Sequence, residues 1–337
     1  MAERIEVIID GNAYGLVQAS GQGRTALRAL GTEAAVQTRG ARVFNEVLDQ
    51  QQRNLAGVAR FARGAGLALA TGLALGMAHA IKTGADFEQQ MARVAAVSSA
   101  TGDEMERLEK LAMRMGAQTK FSAGEAAAAM YELSSAGFSV KEMSQALPGT
   151  LSLAAASNID LASAAEISSN ALRGFGLDAD QSTHVADVLA QAVNSSSVEM
   201  EDLQLTMKYI GPIAKATGQD FEDMIGAVSL MGDAGIKGEQ AGTALRAGLL
   251  RLVKPIGQTK EGLAALGLSA KDVTGPDGLL PLPELVGAIQ GGMEGMSKAE
   301  QNAALTAVFG QEALSGMLTV VDAGPEKLAR LAKEFDH

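Results

Sequence analysis

Leu133-Ser134-Ser135-Ala136-Gly137-Phe138-Ser139-Val140-Lys141-Glu142 decides how this chain folds. A helix former run reaches Gly137, which takes the left-handed conformation that a Cβ disfavours and so ends a helix. Two residues later Ser139 offers a hydroxyl to the free N–H groups of a new helix. Glu142, three residues on, completes the S-x-x-E capping box. One helix stops and another starts within three residues.

The same punctuation recurs at Gly176-Leu177-Asp178, Gly218-Gln219-Asp220 and Gly267-Leu268-Ser269. Further capping boxes are read at Thr101 with Glu104, Ser122 with Glu125, Ser196 with Glu199 and Ser297 with Glu300. Between them the apolar residues keep helical spacing: Phe87, Met91, Val94 and Val97 share one face, as do Met105, Leu108, Leu111 and Met115. Helices are predicted over residues 160–173, 178–193, 198–215, 220–231, 238–253, 260–266, 283–291, 298–309, 311–321 and 325–335. Lys254-Pro255 ends one of them, because Pro disfavours the helical conformation of the residue before it. The fold class expected is all-α, many short-to-medium helices with tight Gly corners, as a helical core domain plus extended helical segments. Residues 4–9 (RIEVII) are β-branched and are compatible with a short N-terminal strand.

Composition agrees. Of 337 residues, 47% are hydrophobic and only 4% aromatic, with no Trp. Ala, Leu and Met must therefore fill the core, which suits closely approaching helices. The division read from the sequence is a strand and loop over 1–24, a helical arm over 25–83, a helical core over 84–255, a Gly/Pro linker region over 256–283 and C-terminal helices over 284–337.

Several functions find little support. The net charge of −11 argues against nucleic acid, whose phosphates need Lys and Arg to displace counterions. The cluster Arg39, Arg42, Arg53, Arg60 and Arg63 reads as a solvated helix face. Cysteine is absent, which removes thiol catalysis and Cys-ligated zinc. The first ten residues carry Glu3, Glu6 and Asp10 and no apolar run of signal length.

The three histidines are His79, His184 and His337. Ser182, His184 and Asp187 invite comparison with a catalytic triad, but residues so close on one helix point to different faces. Asp178-x-Asp180-x-Ser182 starts like a calcium loop, yet Thr183 stands where the turn Gly belongs. Gly21-Gln22-Gly23-Arg24-Thr25 fails the phosphate-loop spacing. The carboxylates Glu104 and Glu106, and Glu199, Glu201 and Asp202, sit at helix starts, where the helix dipole favours them. No catalytic, cofactor or metal residue is assigned, and no enzyme activity is expected.

Residues 64–81 (GAGLALATGLALGMAHAI) are uncharged between Arg63 and Lys82. That is about the minimum length for a membrane span. Gly64-x-x-x-Ala68 and Gly72-x-x-x-Gly76 favour close helix contacts. The stretch reads as a helix packed against other helices or subunits, with insertion into a membrane as the alternative. Met91, Met105, Met113, Met115, Met130 and Met143 read equally as core filling or as an adaptable interface.

Four segments carry a family resemblance: Ala85-Asp86-Phe87-Glu88-Gln89-Gln90-Met91; Thr119-Lys120-Phe121-Ser122-Ala123-Gly124-Glu125, then Leu133 to Phe138; Asp187-Val188-Leu189-Ala190 with Asn194-Ser195-Ser196; and Gly232-Asp233-Ala234-Gly235-Ile236-Lys237-Gly238 with Ala241 to Arg246. Together they make residues 84–255 resemble the core of phage tail tape measure proteins. The resemblance implies a virion scaffold around which tail-tube subunits polymerise, whose length sets tail length. It implies a place in the tube lumen, assembly in the host cytoplasm, release during infection, and a contribution to crossing the host envelope. The partners implied are tube, tail tip or baseplate and assembly chaperone proteins, with further copies of the chain as a homo-oligomer. Members are usually longer, so a continuation beyond the KLARLAKEFDH end is expected. The hydrolase domains that some carry are absent from the residues read here. A membrane-active helical effector acting through residues 64–81 is the alternative.

Overall fold

The computed structural model describes residues 68–275 and 278–335, with side chains from residue 83 onward. The strand read at 4–9, most of the arm at 25–83, and His79 and His337 as side chains lie outside that description. The chain divides into two compact units, residues 1–88 and 89–337. Of the first, only the opening of helix α1 (Ala68–Ser98) is described. No single described helix is long and apolar enough to cross a membrane.

The second unit holds the rest of α1 and thirteen more helices: α2 (Gly102–Gln118), α3 (Ala123–Ser135), α4 (Val140–Ser157), α5 (Leu161–Phe175), α6 (Ser182–Ser195), α7 (Met200–Thr217), α8 (Phe221–Asp233), α9 (Gly238–Val253), α10 (Gln258–Ala265), α11 (Leu282–Gly292), α12 (Lys298–Phe309), α13 (Gln311–Ala323) and α14 (Pro325–Phe335). Single 3₁₀ turns cover Ala179–Gln181 and Ala270–Asp272. Among the described residues the chain is all-α apart from a two-residue antiparallel pair, β1 (Thr274–Gly275) with β2 (Gly278–Leu279).

Local chemistry sets the boundaries. Thr101, Ser122, Ser139 and Ser297 each cap a helix and close a reciprocal box with the Glu three residues on. The N–H groups of Ser122 and Ser139, for example, donate to Glu125 and Glu142 at 2.7 and 2.8 Å. Such caps contribute about 1 kcal/mol each. The fifth expected box does not form. Helix α7 starts later, with Glu199 as its N-cap and Asp202 accepting the Glu199 N–H. Ser196 instead donates its hydroxyl back to the Ala192 carbonyl. At the corner after α5, Gly176 adopts φ 78° and the Leu177 N–H returns to the Leu172 carbonyl at 2.8 Å, which gives the helix end its bonding partners.

Because the corners are so short, several helices pack chiefly on one two places along. The main pairings are α3 with α5, α5 with α7, α7 with α9, and α4 with α6. Helices α12 and α13 then close on α10 and α9, and α14 lies on α8. Small residues make the contacts close. A Cβ on Gly149 of α4 would sit 2.2 Å from the Ser182 backbone of α6. One on Gly211 of α7 would meet Gly174 of α5 at 2.9 Å.

The core is aliphatic, as composition requires. Leu108, Met130, Leu133, Met143, Leu147, Leu172, Leu189 and Leu203 are fully buried, each contributing about 1.5–3 kcal/mol. Among the methionines noted above, Met91, Met130 and Met143 are core, whereas Met113 is 42% exposed. Phe175 and Phe221 meet edge to face at 4.9 Å and join α5 to α8.

Over the Gly/Pro stretch read as a linker region, the chain forms the 3₁₀ turn and the β pair, with Val273 and Leu279 buried. Gln219 holds this element by donating to the Leu280 carbonyl at 3.0 Å.

Candidate functional site

The corner between α7 and α8 builds a polar cleft. Gly218, at φ 70°, ends α7, and the Gln219 N–H returns to the Ala214 carbonyl at 2.9 Å. Asp220 then opens α8 in extended conformation, but its side chain makes no capping bond. Phe221 turns inward against Phe175 and fixes the rotation of the first turn. That rotation sends Asp220, Glu222 and Asp223 to one side.

Two other helices complete the cleft. From α6, His184 contacts Glu222. From α14, Leu328 packs over Gly226 of α8, which brings Ala332 and Lys333 to the rim. The resulting cleft, of about 550 Å³, is lined by Gln181, His184, Asp220, Glu222, Asp223, Ala332 and Lys333.

Asp223 stands out in it. The residue is only 8% exposed and accepts no hydrogen bond from any described residue. Burial, reinforced by the like charges of Asp220 and Glu222, pushes its carboxyl up to about 7. The positive end of the helix dipole acts the other way, and desolvation wins. A carboxyl so placed can hold a proton, or meet a cation, near neutral pH.

A second, more apolar groove runs between α7 and α9. Lys208, Tyr209, Pro212, Ile213, Arg246 and Leu250 line about 410 Å³. Beside it Leu250, Val253 and Ile256 are 48%, 48% and 69% exposed.

The residues weighed from sequence are placed as follows. The Ser182 hydroxyl donates to the Gln145 carbonyl, His184 turns to Glu222, and Asp187 is exposed. Asp178 caps the 3₁₀ turn with Gln181. Glu104 caps α2, and the Thr101 backbone and hydroxyl bonds hold its carboxyl below the usual range. Glu106 pairs with Lys110 on the same helix. Among the described residues no group of three or more His, Cys, Asp or Glu could hold a metal ion. Neither the cleft nor the groove was found from sequence. The available signal for the cleft was three carboxylates within Asp220-Phe221-Glu222-Asp223, which reads equally well as a dipole-stabilised helix start.

Comparison with known proteins adds what geometry does not. The profile of the phage-related minor tail protein family matches residues 109–310, from within α2 to the end of α12. The chain is 43% identical over 270 residues to the tape measure protein of Pneumococcus phage Dp-1, covering 80% of this chain and 23% of that protein. It is 29% identical over 291 residues to the probable tape measure protein of Escherichia phage P2, covering 85% and 36%. With the probable tape measure protein of Clostridium phage phiCD119 it shares 27% over 209 residues, covering 60% and 21%. The chain thus spans well under half the length of these curated relatives. No solved structure matches it significantly.

Proposed function

Since the chain belongs to the phage-related minor tail protein family, a family of tail components, we propose that it is part of a tape measure protein, the scaffold and length ruler of tail-tube assembly. The observation that carries this reading is the 43% identity over 80% of the chain to a protein named for that role. On this reading the protein lies in the tube lumen, assembles in the host cytoplasm with chaperone, tube and tip or baseplate proteins, associates with copies of itself, and leaves the tail during infection. Residues 64–81 are the segment proposed to meet the host membrane at that stage. We assign the chain no catalytic role, no cofactor and no nucleic-acid partner.

The fold refines the proposal. A fully helical chain of this length would span on the order of 500 Å at about 1.5 Å per residue. Residues 89–337 instead fold back at every corner into one compact unit. Such a unit adds little length per residue, so measuring belongs to helical segments elsewhere in the longer protein. Within this piece, residues 84–255 serve as the core domain, 256–283 as the connecting region and 284–337 as C-terminal helices. The unit itself is a docking body at one end of the ruler.

Tail length by electron microscopy separates these roles. Deleting whole helical turns from a helical segment outside this piece should shorten tails by about 1.5 Å per residue. Deleting α10–α14 should block assembly without yielding tails of proportionately reduced length. Tails shortened in proportion by the second deletion would overturn the docking role.

A further inference from the structure

Helix α9 carries more apolar surface than its own packing uses. Leu245, Leu249 and Leu252 face the core and are buried. The next strip around the helix, about 100° on, is Arg246, Leu250 and Val253, all exposed. Leu250 and Val253, with Ile256 just beyond, are three of the five large apolar side chains exposed among the described residues. Leu250 also lines the trough between α7 and α9, with Tyr209, Pro212 and the buried Ile213. An exposed apolar patch with a polar rim marks an interaction surface.

The charge of this surface is the reverse of the chain's. The chain carries −11 net, yet residues 203–219 and 240–260 hold six basic side chains and no Asp or Glu. Two of the six are turned to other work: Arg251 packs over Gly310 and Lys215 against Gly176. Lys208, in the trough wall, pairs with Glu166 at 3.2 Å with both side chains roughly half exposed. Such a pair contributes at most about 1 kcal/mol, so another carboxylate displaces Glu166 at little cost. Arg246 in the opposite wall, and the exposed Lys254 past the end of α9, make no ion pair with a described residue.

We infer that the trough between α7 and α9 is the docking site of an acidic amphipathic helix from a partner protein. Its apolar stripe lies on Tyr209, Ile213, Leu250 and Val253, and its carboxylates meet Arg246 and Lys208. Charge selects this occupant: a basic patch on an acidic body draws an acidic partner to one place and repels it elsewhere. Shape selects a helix, since side chains at i, i+4 and i+7 form a ridge that enters the groove between two packed helices. A lipid surface also suits basic and apolar residues, but it is met by an apolar face turned outward, whereas Ile213 lies buried between the two helices. The inference is independent of the ruler role, and its failure leaves that reading untouched.

The probe is the fluorescein-labelled helical peptide acetyl-ELAQELAELAQELA-amide, titrated with the 337-residue chain and followed by anisotropy at low ionic strength. It should bind saturably, and added salt should weaken it. The same peptide with Lys for every Glu should bind at least about tenfold more weakly, and the one with Ala for every Leu should not bind. Arg246→Glu should weaken the acidic peptide about tenfold, and Leu250→Asp should abolish its binding. Met113→Asp, at a side chain 42% exposed on α2, should leave it unchanged, with helix content by circular dichroism equal in all three variants. A dissociation constant weaker than about 1 mM, equal affinity for the acidic and basic peptides, or undiminished binding by Leu250→Asp would overturn the assignment. So would transfer of the Leu250 dependence to another occupant, read as binding to phosphatidylglycerol vesicles or as self-association of the chain without peptide binding.

Discussion

Arg173 of α5 donates to Glu142 of α4 at 3.0 Å, and the same Glu142 closes the capping box with Ser139. The guanidinium also donates to the Gly137 carbonyl at 2.9 Å and lies 4.1 Å over the Phe138 ring. One side chain from α5 thus binds the helix end, the corner and the next helix start. The Ser139 backbone bond, followed by Arg173, holds the Glu142 carboxyl down at about 2. A depressed carboxylate contributes stability that is present above its unfolded value, 4.5, and is lost as pH falls towards 2. Glu142→Gln should therefore cost roughly 1 kcal/mol at pH 7, a figure discounted for the partial exposure of the pair. That difference should shrink as pH is lowered from 4.5 towards 2. Denaturant melts of both proteins across that range test it; a gap independent of pH would remove the ionic part of the argument.

The close helix crossings predict opposite outcomes for one kind of substitution. Gly149→Ala places a Cβ 2.2 Å from the Ser182 backbone, and no flexible side chain can yield. Overpacking of this kind costs about 1–3 kcal/mol or more. Gly291→Ala, in α11, meets nothing within 4 Å. It should stabilise by up to about 1 kcal/mol, since Ala is the better helix former. Thermal melts of the two variants should move in opposite directions.

What was legible in the sequence was local. Gly137, Ser139 and Glu142 act through neighbours three to five residues away, so their pattern announces the corner. The boundaries of α9, α12 and α14 were readable for the same reason. The start of α7 was misread because a distant residue intervenes. The Ser197 N–H donates to Asp233 at the end of α8, at 2.8 Å, and Val198 is buried against Gly232. That anchor holds the loop open past Ser196, so capping passes to Glu199. The cleft was illegible on similar grounds. Asp223 shares its cleft with Ala332 and Lys333, a hundred or so residues later, on a helix whose Leu328 packs over Gly226. No local pattern encodes that contact.

The burial of Asp223 has its own signature in stability. Its folded value, about 7, lies above the model-peptide 3.8. The folded state therefore holds the proton more tightly than the unfolded state, and stability falls as pH rises from about 4 to about 7, then levels off. Asp223→Asn keeps the shape and removes the ionisation. It should match the parent near pH 4 and exceed it by roughly 2–4 kcal/mol at pH 8. Urea melts at both pH values decide this; a variant weaker than its parent at pH 8 would mean that the ionised carboxylate has a stabilising partner.

The fate of the five expected capping boxes can be checked by deleting one hydroxyl at a time. At Ser122 the hydroxyl accepts the Glu125 N–H at 3.2 Å and donates to its carboxylate at 2.8 Å. Ser122→Ala removes both bonds at the start of α3 and should cost about 1 kcal/mol. At Ser196 the hydroxyl donates to the Ala192 carbonyl and accepts the Val198 N–H at 3.4 Å, but it bonds no N–H within α7 itself. Ser196→Ala should cost only a few tenths of a kcal/mol, as removal of a partly buried local bond does. Asp202→Ala, by contrast, deletes the carboxylate that accepts the Glu199 N–H at the start of α7, and should cost more than Ser196→Ala. The ranking matters more than the values, because sequence alone assigned Ser122 and Ser196 the same role. Equal losses at those two positions would mean that α7 begins at Ser196 in solution.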